Sequence, residues 1–197
     1  MEHTEDIVLI EQIKNPRTSE QGFRSLITTY KERLYWHIRK LVYSHEDADD
    51  LLQETFIKVY KNINRFKGES SLFSWMYRIA TNTALSFLKT EARMKKQEYQ
   101  EYMHDRAEAL QTDTHYSGDH IELMLQSAVA QLPEKQQLVF TMKYMEDLTY
   151  KQISEILETS EGALKASYFH AVSKIKLFIK NEDWISSLET EKFRTEL

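Results

Sequence analysis

The sequence contains no cysteine. That excludes a disulfide framework, a thiolate-ligated zinc site and a thiol nucleophile. Only two prolines and four glycines occur in 197 residues. So few turn formers argue against an all-β fold, which needs many tight turns. The longest uninterrupted aliphatic run is Ile7–Ile10, far too short for a signal-peptide core or a membrane span. A cytoplasmic protein with no membrane span is the expectation. The seven histidines are scattered, with no His–carboxylate set at metal-ligand spacing. No nucleophile motif and no glycine-rich phosphate loop is present. The chain is therefore expected to be no enzyme and to carry neither metal nor cofactor.

What is abundant points to helices. Apolar residues make up 41% of the chain and charged residues 29%, enough for both a packed core and a soluble surface. Glu, Lys, Leu, Gln and Ala supply strong helix propensity. Apolar residues recur at the helical period of 3.6. One stripe is Phe23, Leu26, Ile27, Tyr30, Leu34, Ile38 and Leu41. A second is Ala48, Leu51, Leu52, Val59, Ile63 and Phe66, and a third runs from Leu72 through Met76, Ile79, Ala80 and Thr83 to Phe87. Asn15-Pro16 and Lys67-Gly68-Glu69-Ser70 read as breaks between helices. Residues 97–120 are polar and acidic without a regular stripe. Periodicity resumes at Ile121, Leu125, Ala128 and Leu132, and Pro133 opens a further helix. The predicted fold is all-α. Two helical modules, 5–96 and 121–180, are joined by a flexible acidic linker over 97–120, which leaves room for a partly helical stretch. The tail 181–197 has no assigned role.

The net charge of −5 hides a segregation of sign. Residues 46–54 carry Glu46, Asp47, Asp49, Asp50 and Glu54. Residues 89–96 carry Lys89, Arg93, Lys95 and Lys96 against Glu91 alone, and 161–180 carry four lysines against Glu161. Local basic faces on an acidic chain suggest a protein partner that supplies most of the affinity for nucleic acid.

Residues 149–180 read as a helix-turn-helix. Thr149 can cap the first helix and Thr159 or Ser160 the second, with Gly162 at its entrance. Leu164, Tyr168, Ala171, Val172, Ile175 and Phe178 share one side and belong to the core. The other side presents Ala166, Phe169, His170, Ser173 and Lys174, with Lys165 at the margin. Phe169 suits a thymine methyl and Lys165 a guanine or phosphate. The plainer alternative makes Phe169 a second core contact and the lysines a solvated face.

Helix 72–96 bears a second stripe of Trp75, Arg78, Asn82, Ser86, Lys89 and Arg93. An aromatic, an amide and several cations on one side suit unpaired bases and phosphates. The loop Asn64–Ser71, with Asn82, is a candidate pocket for an extruded base. Burial of Trp75 between helices and a structural ion pair for Arg78 are the plainer readings. The acidic face Asp47, Asp50 and Glu54, with Gln53 beside it, suits a basic protein surface or serves solubility alone. Two other functions remain open on these residues. One is a helix-turn-helix regulator that binds duplex DNA by itself as a dimer. The other is a helical adaptor with no DNA role.

Longer motifs favour one family. Asp47-Ala48-Asp49-Asp50-Leu51-Leu52-Gln53-Glu54-Thr55-Phe56-Ile57-Lys58-Val59-Tyr60 resembles the polymerase-binding helix of sigma-factor region 2. Phe66-Lys67-Gly68-Glu69-Ser70 and Trp75-Met76-Tyr77-Arg78-Ile79-Ala80-Thr81-Asn82 resemble its promoter-melting part. Leu132-Pro133-Glu134-Lys135-Gln136-Gln137, Leu148-Thr149-Tyr150-Lys151-Gln152-Ile153-Ser154-Glu155-Ile156 and Glu161-Gly162-Ala163-Leu164-Lys165-Ala166-Ser167 resemble region 4. Two such regions with a short tether resemble an extracytoplasmic-function RNA polymerase sigma factor.

The resemblance implies core RNA polymerase and promoter DNA as partners. It also implies a separate anti-sigma factor, with the free chain a monomer or an anti-sigma heterodimer. It assigns polymerase binding to Asp47, Asp50, Gln53 and Glu54. It assigns the −10 element to Asn64, Lys67, Gly68, Ser70, Arg78, Asn82, Lys89 and Arg93. It assigns the −35 element to Ser160, Lys165, Ala166, Phe169, His170 and Lys174. The acidic tether resembles the linker that threads through polymerase toward the RNA exit path. Ser167, His170 and Val172 stand where many relatives carry basic residues, which implies weaker direct phosphate affinity.

Overall fold

The computed structural model describes residues 2–109 and 120–181, all of them helical or connecting segments. The helices are α1 (Glu2–Lys14), α2 (Ser19–Val42), α3 (His45–Asn62), α4 (Leu72–Met94), α5 (Tyr99–Ala109), α6 (His120–Ala130), α7 (Glu134–Phe140), α8 (Tyr150–Leu157) and α9 (Glu161–Asn181). A 3₁₀ turn over Ile63–Arg65 follows α3, and a π turn over Thr141–Met145 follows α7. The expectations for 110–119 and for the tail beyond 181 lie outside the described residues.

The three predicted stripes become the inner faces of α2, α3 and α4. Leu26, Leu34, Ile38, Leu51, Val59, Met76, Ala80 and Leu88 are all nearly or wholly buried. Burying each large aliphatic chain contributes about 1.5–3 kcal/mol. α1 crosses α2 at Gly22, where an added Cβ would lie 2.9 Å from the Ile13 backbone nitrogen. That close approach sets the angle at which α1 lies over the bundle. Local chemistry sets the helix ends. Ser44 accepts a hydrogen bond from the Asp47 N–H at 3.2 Å, and Ser71 from the Ser74 N–H at 3.0 Å. Gly68 sits in the loop between α3 and α4 at φ 78°, a left-handed conformation that costs glycine little.

In the C-terminal part, Ala128, Val129, Leu132, Phe140, Ala171 and Ile175 close a second, smaller core between α6, α7 and α9. Thr149 and Gln152 form a full capping box at α8. The Ser160 hydroxyl accepts from the Ala163 N–H at 3.4 Å to start α9. Pro133 stands one residue before its helix, as the N-cap of α7.

The structure departs from the expected layout in two ways. Residues 99–109 of the tether form α5, in keeping with a partly helical linker, but this helix is docked rather than free, through Tyr102, Met103 and Ala107, each at most 1% exposed. Arg106 anchors it by donating to the Val42 carbonyl at 2.7 Å and by pairing with Asp47. The second departure is that the two modules do not stand apart. Leu138, Val139, Met142, Leu148, Ile153, Ile156 and Leu164 join the core of the N-terminal bundle. α7 and α8 are apolar on two sides, one toward α6 and α9 and the other toward α4.

Candidate nucleic-acid and protein interfaces

The acidic face of α3 is laid out as its helical spacing requires. Asp50, Gln53 and Glu54 are exposed, while Asp47 is half-buried against Arg106. Glu54 pairs with Lys58 at 2.8 Å along the helix. Beside these residues runs an apolar groove of about 880 Å³ between α2 and α3. Phe23, Ile27, Leu52, Phe56, Ile57 and Tyr60 line it, together with Gln53. Ile57 and Tyr60 are 54% and 53% exposed, and the Tyr60 ring lies edge-on to Phe23 at 4.9 Å. Sequence reasoning did not single out Phe23, Ile57 and Tyr60, which line this groove. The available signal was that Ile57 and Tyr60 are large apolar residues lying off the buried stripe of their helix.

The residues assigned to the −10 element are divided by the fold. Lys67, Gly68 and Ser70 line a cavity of about 200 Å³ closed on its far side by α1, through Asp6, Ile10 and Lys14. Asp6 is buried there and accepts from the Tyr30 hydroxyl at 2.7 Å. Asn64 is exposed on the 3₁₀ turn. Asn82 lines a different cleft, also of about 200 Å³, whose other walls are α7, α8 and α9.

Along α4 the expected open stripe is partly occupied. Trp75 is half-buried with its ring 5.2 Å from Phe66. Arg78 donates to Glu158 at 2.5 Å and to the Glu155 carbonyl at 2.5 Å. Lys89 pairs with Glu134 at 2.7 Å. Asn82, Ser86 and Arg93 are exposed. Arg78 and Lys89 are thus structural ion-pair partners here, because α8 and the start of α7 bring carboxylates onto their side of the helix.

On α9 the outward face is open. Phe169 is 68% exposed, and Lys165, Ala166, His170 and Lys174 are exposed around it. Leu164, Ala171 and Ile175 point the other way, into the core. Lys165 lies 5.5 Å over the Tyr150 ring and 3.9 Å from Glu161. That exposed i, i+4 pair contributes at most about 0.5 kcal/mol and leaves the ammonium free to take a better partner. Ser160 remains exposed at the helix start while its hydroxyl caps it.

A buried polar cluster between the modules had no counterpart in the sequence reading. His37 is fully buried, with Nδ1 2.9 Å from the Glu146 carboxylate and Nε2 2.8 Å from the Thr81 hydroxyl. The Tyr77 ring lies 4.6 Å from the imidazole. Burial, with the Glu146 carboxylate adding to it, pushes the Tyr77 phenol well above its ordinary range. Among the described residues no group of three His, Asp or Glu side chains is placed to hold a metal ion. No described helix is long and apolar enough to cross a membrane.

Comparison with known proteins agrees with this arrangement. The sigma-70 region 2 family matches residues 26–94 and the sigma-70 region 4 family matches residues 122–175. The chain is 28% identical over 185 residues to the ECF RNA polymerase sigma-E factor of Haemophilus influenzae, covering 89% of this chain and 95% of that one. It is 27% identical over 175 residues to the RNA polymerase sigma-H factor of Pseudomonas aeruginosa, covering 85% and 90%. Two solved structures share the fold. One is CnrH in complex with the cytosolic domain of CnrY, with TM-score 0.64, 16% identity, and 90% of this chain and 98% of that chain covered. The other is the sigma factor RpoE in complex with the anti-sigma factor NepR from Bartonella quintana. It has TM-score 0.60 and 17% identity, with 82% and 99% covered.

A helical region 2 followed by a helix-turn-helix region 4 defines a non-enzymatic transcription initiation factor. The chain belongs to the sigma-70 family, as a member of its extracytoplasmic-function group. As such it binds core RNA polymerase and directs promoter-specific transcription initiation.

Proposed function

We propose that the three surfaces divide the work of initiation. The α2–α3 groove, with Asp50, Gln53 and Glu54 at its acidic margin, docks core polymerase. The loop 64–71 and α4 melt and read the −10 element, with Asn82 contacting a displaced base and Lys67, Arg78, Lys89 and Arg93 meeting the backbone. The outer face of α9 reads the −35 element through Lys165, Phe169 and His170. The working modules are 5–96 and 121–180, with 97–120 as their connection. Work on promoters places the protein in the cytoplasm. An anti-sigma factor is a further partner, as for the Bartonella RpoE with its NepR.

The observation that carries the reading is the α9 face. A phenylalanine left 68% exposed among cations, on a helix whose opposite side is core, suits a partner with both apolar and anionic groups. A thymine-bearing major groove offers both. Run-off transcription with purified core polymerase tests it, on promoters with intact and scrambled −35 elements. Lys165→Ala and Phe169→Ala are expected to weaken transcription from the intact promoter and to leave the scrambled one unchanged. Equal effects on both promoters would remove α9 from upstream recognition. Glu54→Lys and Ile57→Ala are expected to weaken capture of core enzyme, and unaltered capture would remove the groove from polymerase docking.

A further inference from the structure

The loop between α3 and α4 shares a cavity with α1 that Asn82 does not line, so any selectivity there comes from other side chains. The inference rests on the reading that residues 64–71 meet unpaired bases of the −10 element. Phe66, Lys67 and Ser70 line one side of the cavity, and Asp6, Ile10 and Lys14 of α1 line the other, around about 200 Å³. That space has room for one base.

α1 is a fixed wall of this cavity. Ile10 and Ile13 are buried in the core of the bundle. The Ile13 nitrogen lies 2.9 Å from where a Cβ on Gly22 would stand, and the Thr18 hydroxyl donates to the Gln12 carbonyl at 2.8 Å. Lys14 donates to the Phe66 carbonyl at 3.5 Å, which ties α1 to the loop. Asp6 is 9% exposed, and its Oδ1 accepts from the Tyr30 hydroxyl of α2 at 2.7 Å. A carboxylate held at one oxygen by a hydroxyl from another helix is aimed before any ligand arrives. Its Oδ2 makes no hydrogen bond among the described residues and is not sealed from solvent.

A carboxylate only accepts hydrogen bonds, and an ammonium only donates them. The cavity combines the Asp6 carboxylate with the ammonium groups of Lys14 and Lys67. Guanine alone among the four bases presents two adjacent donors, N1–H and the N2 amino group, beside a carbonyl acceptor at O6. Adenine and cytosine carry one donor group on the same edge, and thymine carries a single N–H between two carbonyls. A site built to take two donors rejects a base that lacks one, because a buried acceptor is then left short of a partner. We propose that this cavity selects guanine in the melted non-template strand, with Asp6 as its specificity-determining residue. The carboxylate takes N1–H and the N2 amino group, and a lysine takes O6. Phe66 and Ile10 give the ring apolar contact.

The test uses holoenzyme assembled from the full chain and core polymerase. It is titrated with dye-tagged fork-junction DNA from a promoter that the protein starts in run-off transcription. That DNA is duplex through the −35 element and single-stranded over the non-template −10 element. Each single-stranded position in turn carries guanine, hypoxanthine, adenine, cytosine or thymine. Hypoxanthine keeps N1–H and O6 and lacks only the N2 amino group. The expected result is one position at which guanine binds about tenfold or more tighter than the other natural bases, and about fivefold or more tighter than hypoxanthine. Asp6→Asn keeps an acceptor for Tyr30. It is expected to bring guanine and hypoxanthine within about twofold of each other and to leave the melting temperature unchanged. Glu11→Gln, at the other carboxylate of the cavity, is expected to keep the preference. The lack of any such position, or a guanine preference that survives Asp6→Asn, would overturn the inference. The hypoxanthine comparison needs no substitution, so it decides even if Asp6→Asn loosens α1. Lys67→Ala separates the two claims. If it weakens binding to every base alike while guanine is not preferred, the loop reading stands and the selection by Asp6 fails. If it leaves binding unchanged and no position prefers a base, the loop reading itself fails.

Discussion

The two helices proposed to face DNA, α4 and α9, differ in what they touch within the chain. α4 presents cations that already hold carboxylates of distant elements, whereas α9 presents Lys165, beside the Tyr150 ring and the exposed Glu161 of its own helix, and Phe169, which lies outside the core. Both carry a polar stripe opposite an apolar one. What separates them is position. α4 lies at the centre, packed by α2, α3, α5 and α8, and α9 lies at the periphery with one side to solvent. Helix amphipathicity therefore identifies a potential binding face, and only the packing of the whole chain shows whether that face is available.

The comparison breaks most readily at the seam itself. Leu164 is 1% exposed and lies where α9 meets the shared core. Leu164→Ala is expected to lower the stability of the whole chain by about 2–5 kcal/mol. Chemical denaturation followed by far-ultraviolet circular dichroism, and by the fluorescence of Trp75 in a chain whose two other tryptophans are replaced by phenylalanine, checks it. A transition unchanged at Trp75 would show that the modules unfold separately and share no core.

Next in size is the polar part of the seam. His37→Ala leaves the Glu146 carboxylate and the Thr81 hydroxyl without their buried partner, at a cost of about 1–3 kcal/mol. Denaturant midpoints measure it, and a loss no larger than that of an exposed control such as Lys151→Ala would make the cluster incidental.

Phe169→Ala sharpens the contrast from the other side. It is expected to leave stability within about 0.5 kcal/mol while weakening upstream promoter binding by about 1–3 kcal/mol. Thermal unfolding and promoter titration of the holoenzyme, run together, check both halves. A fall in stability comparable to the loss in binding would mean that the ring supports the fold.

The smallest effect belongs to two glycines at helical sites. Gly162→Ala meets no atom within 4 Å and is expected to change stability by about 0.4–1 kcal/mol in the favourable direction. Gly22→Ala, with backbone 2.9 Å from the added carbon, is expected to lower it. Melting temperatures that moved alike for both would contradict the close crossing of α1 over α2.

Much of the fold was readable because its causes are local. The apolar periods of α2, α4 and α9, the caps at Thr149 and Ser160, and the break at Gly68 depend on residues a few positions apart. The docking of α5 was not readable. Among its described side chains only Tyr102, Met103 and Ala107 are buried, three residues in an acidic stretch that by itself resembles a solvated tether. The candidate site divides in the same way. The α3 acids and the α9 face were legible from helical spacing, whereas Ile57 and Tyr60 gain their meaning from Phe23 across the groove. The commitment of Arg78 and Lys89 was hidden, since their partners lie on α7 and α8.

By itself the sequence determined an all-helical chain of two sigma-type regions and the residues that each helix turns outward, because periodicity and capping act over one or two turns. Tertiary structure alone decided that α7 and α8 bury a second side against α4. It also decided that His37 finds Glu146 at a separation of 109 residues, and that Arg78 and Lys89 of α4 are paired while Phe169 of α9 stays exposed. Nothing in a helix's own pattern encodes which carboxylate will arrive beside its cations, since that depends on how distant apolar surfaces close together.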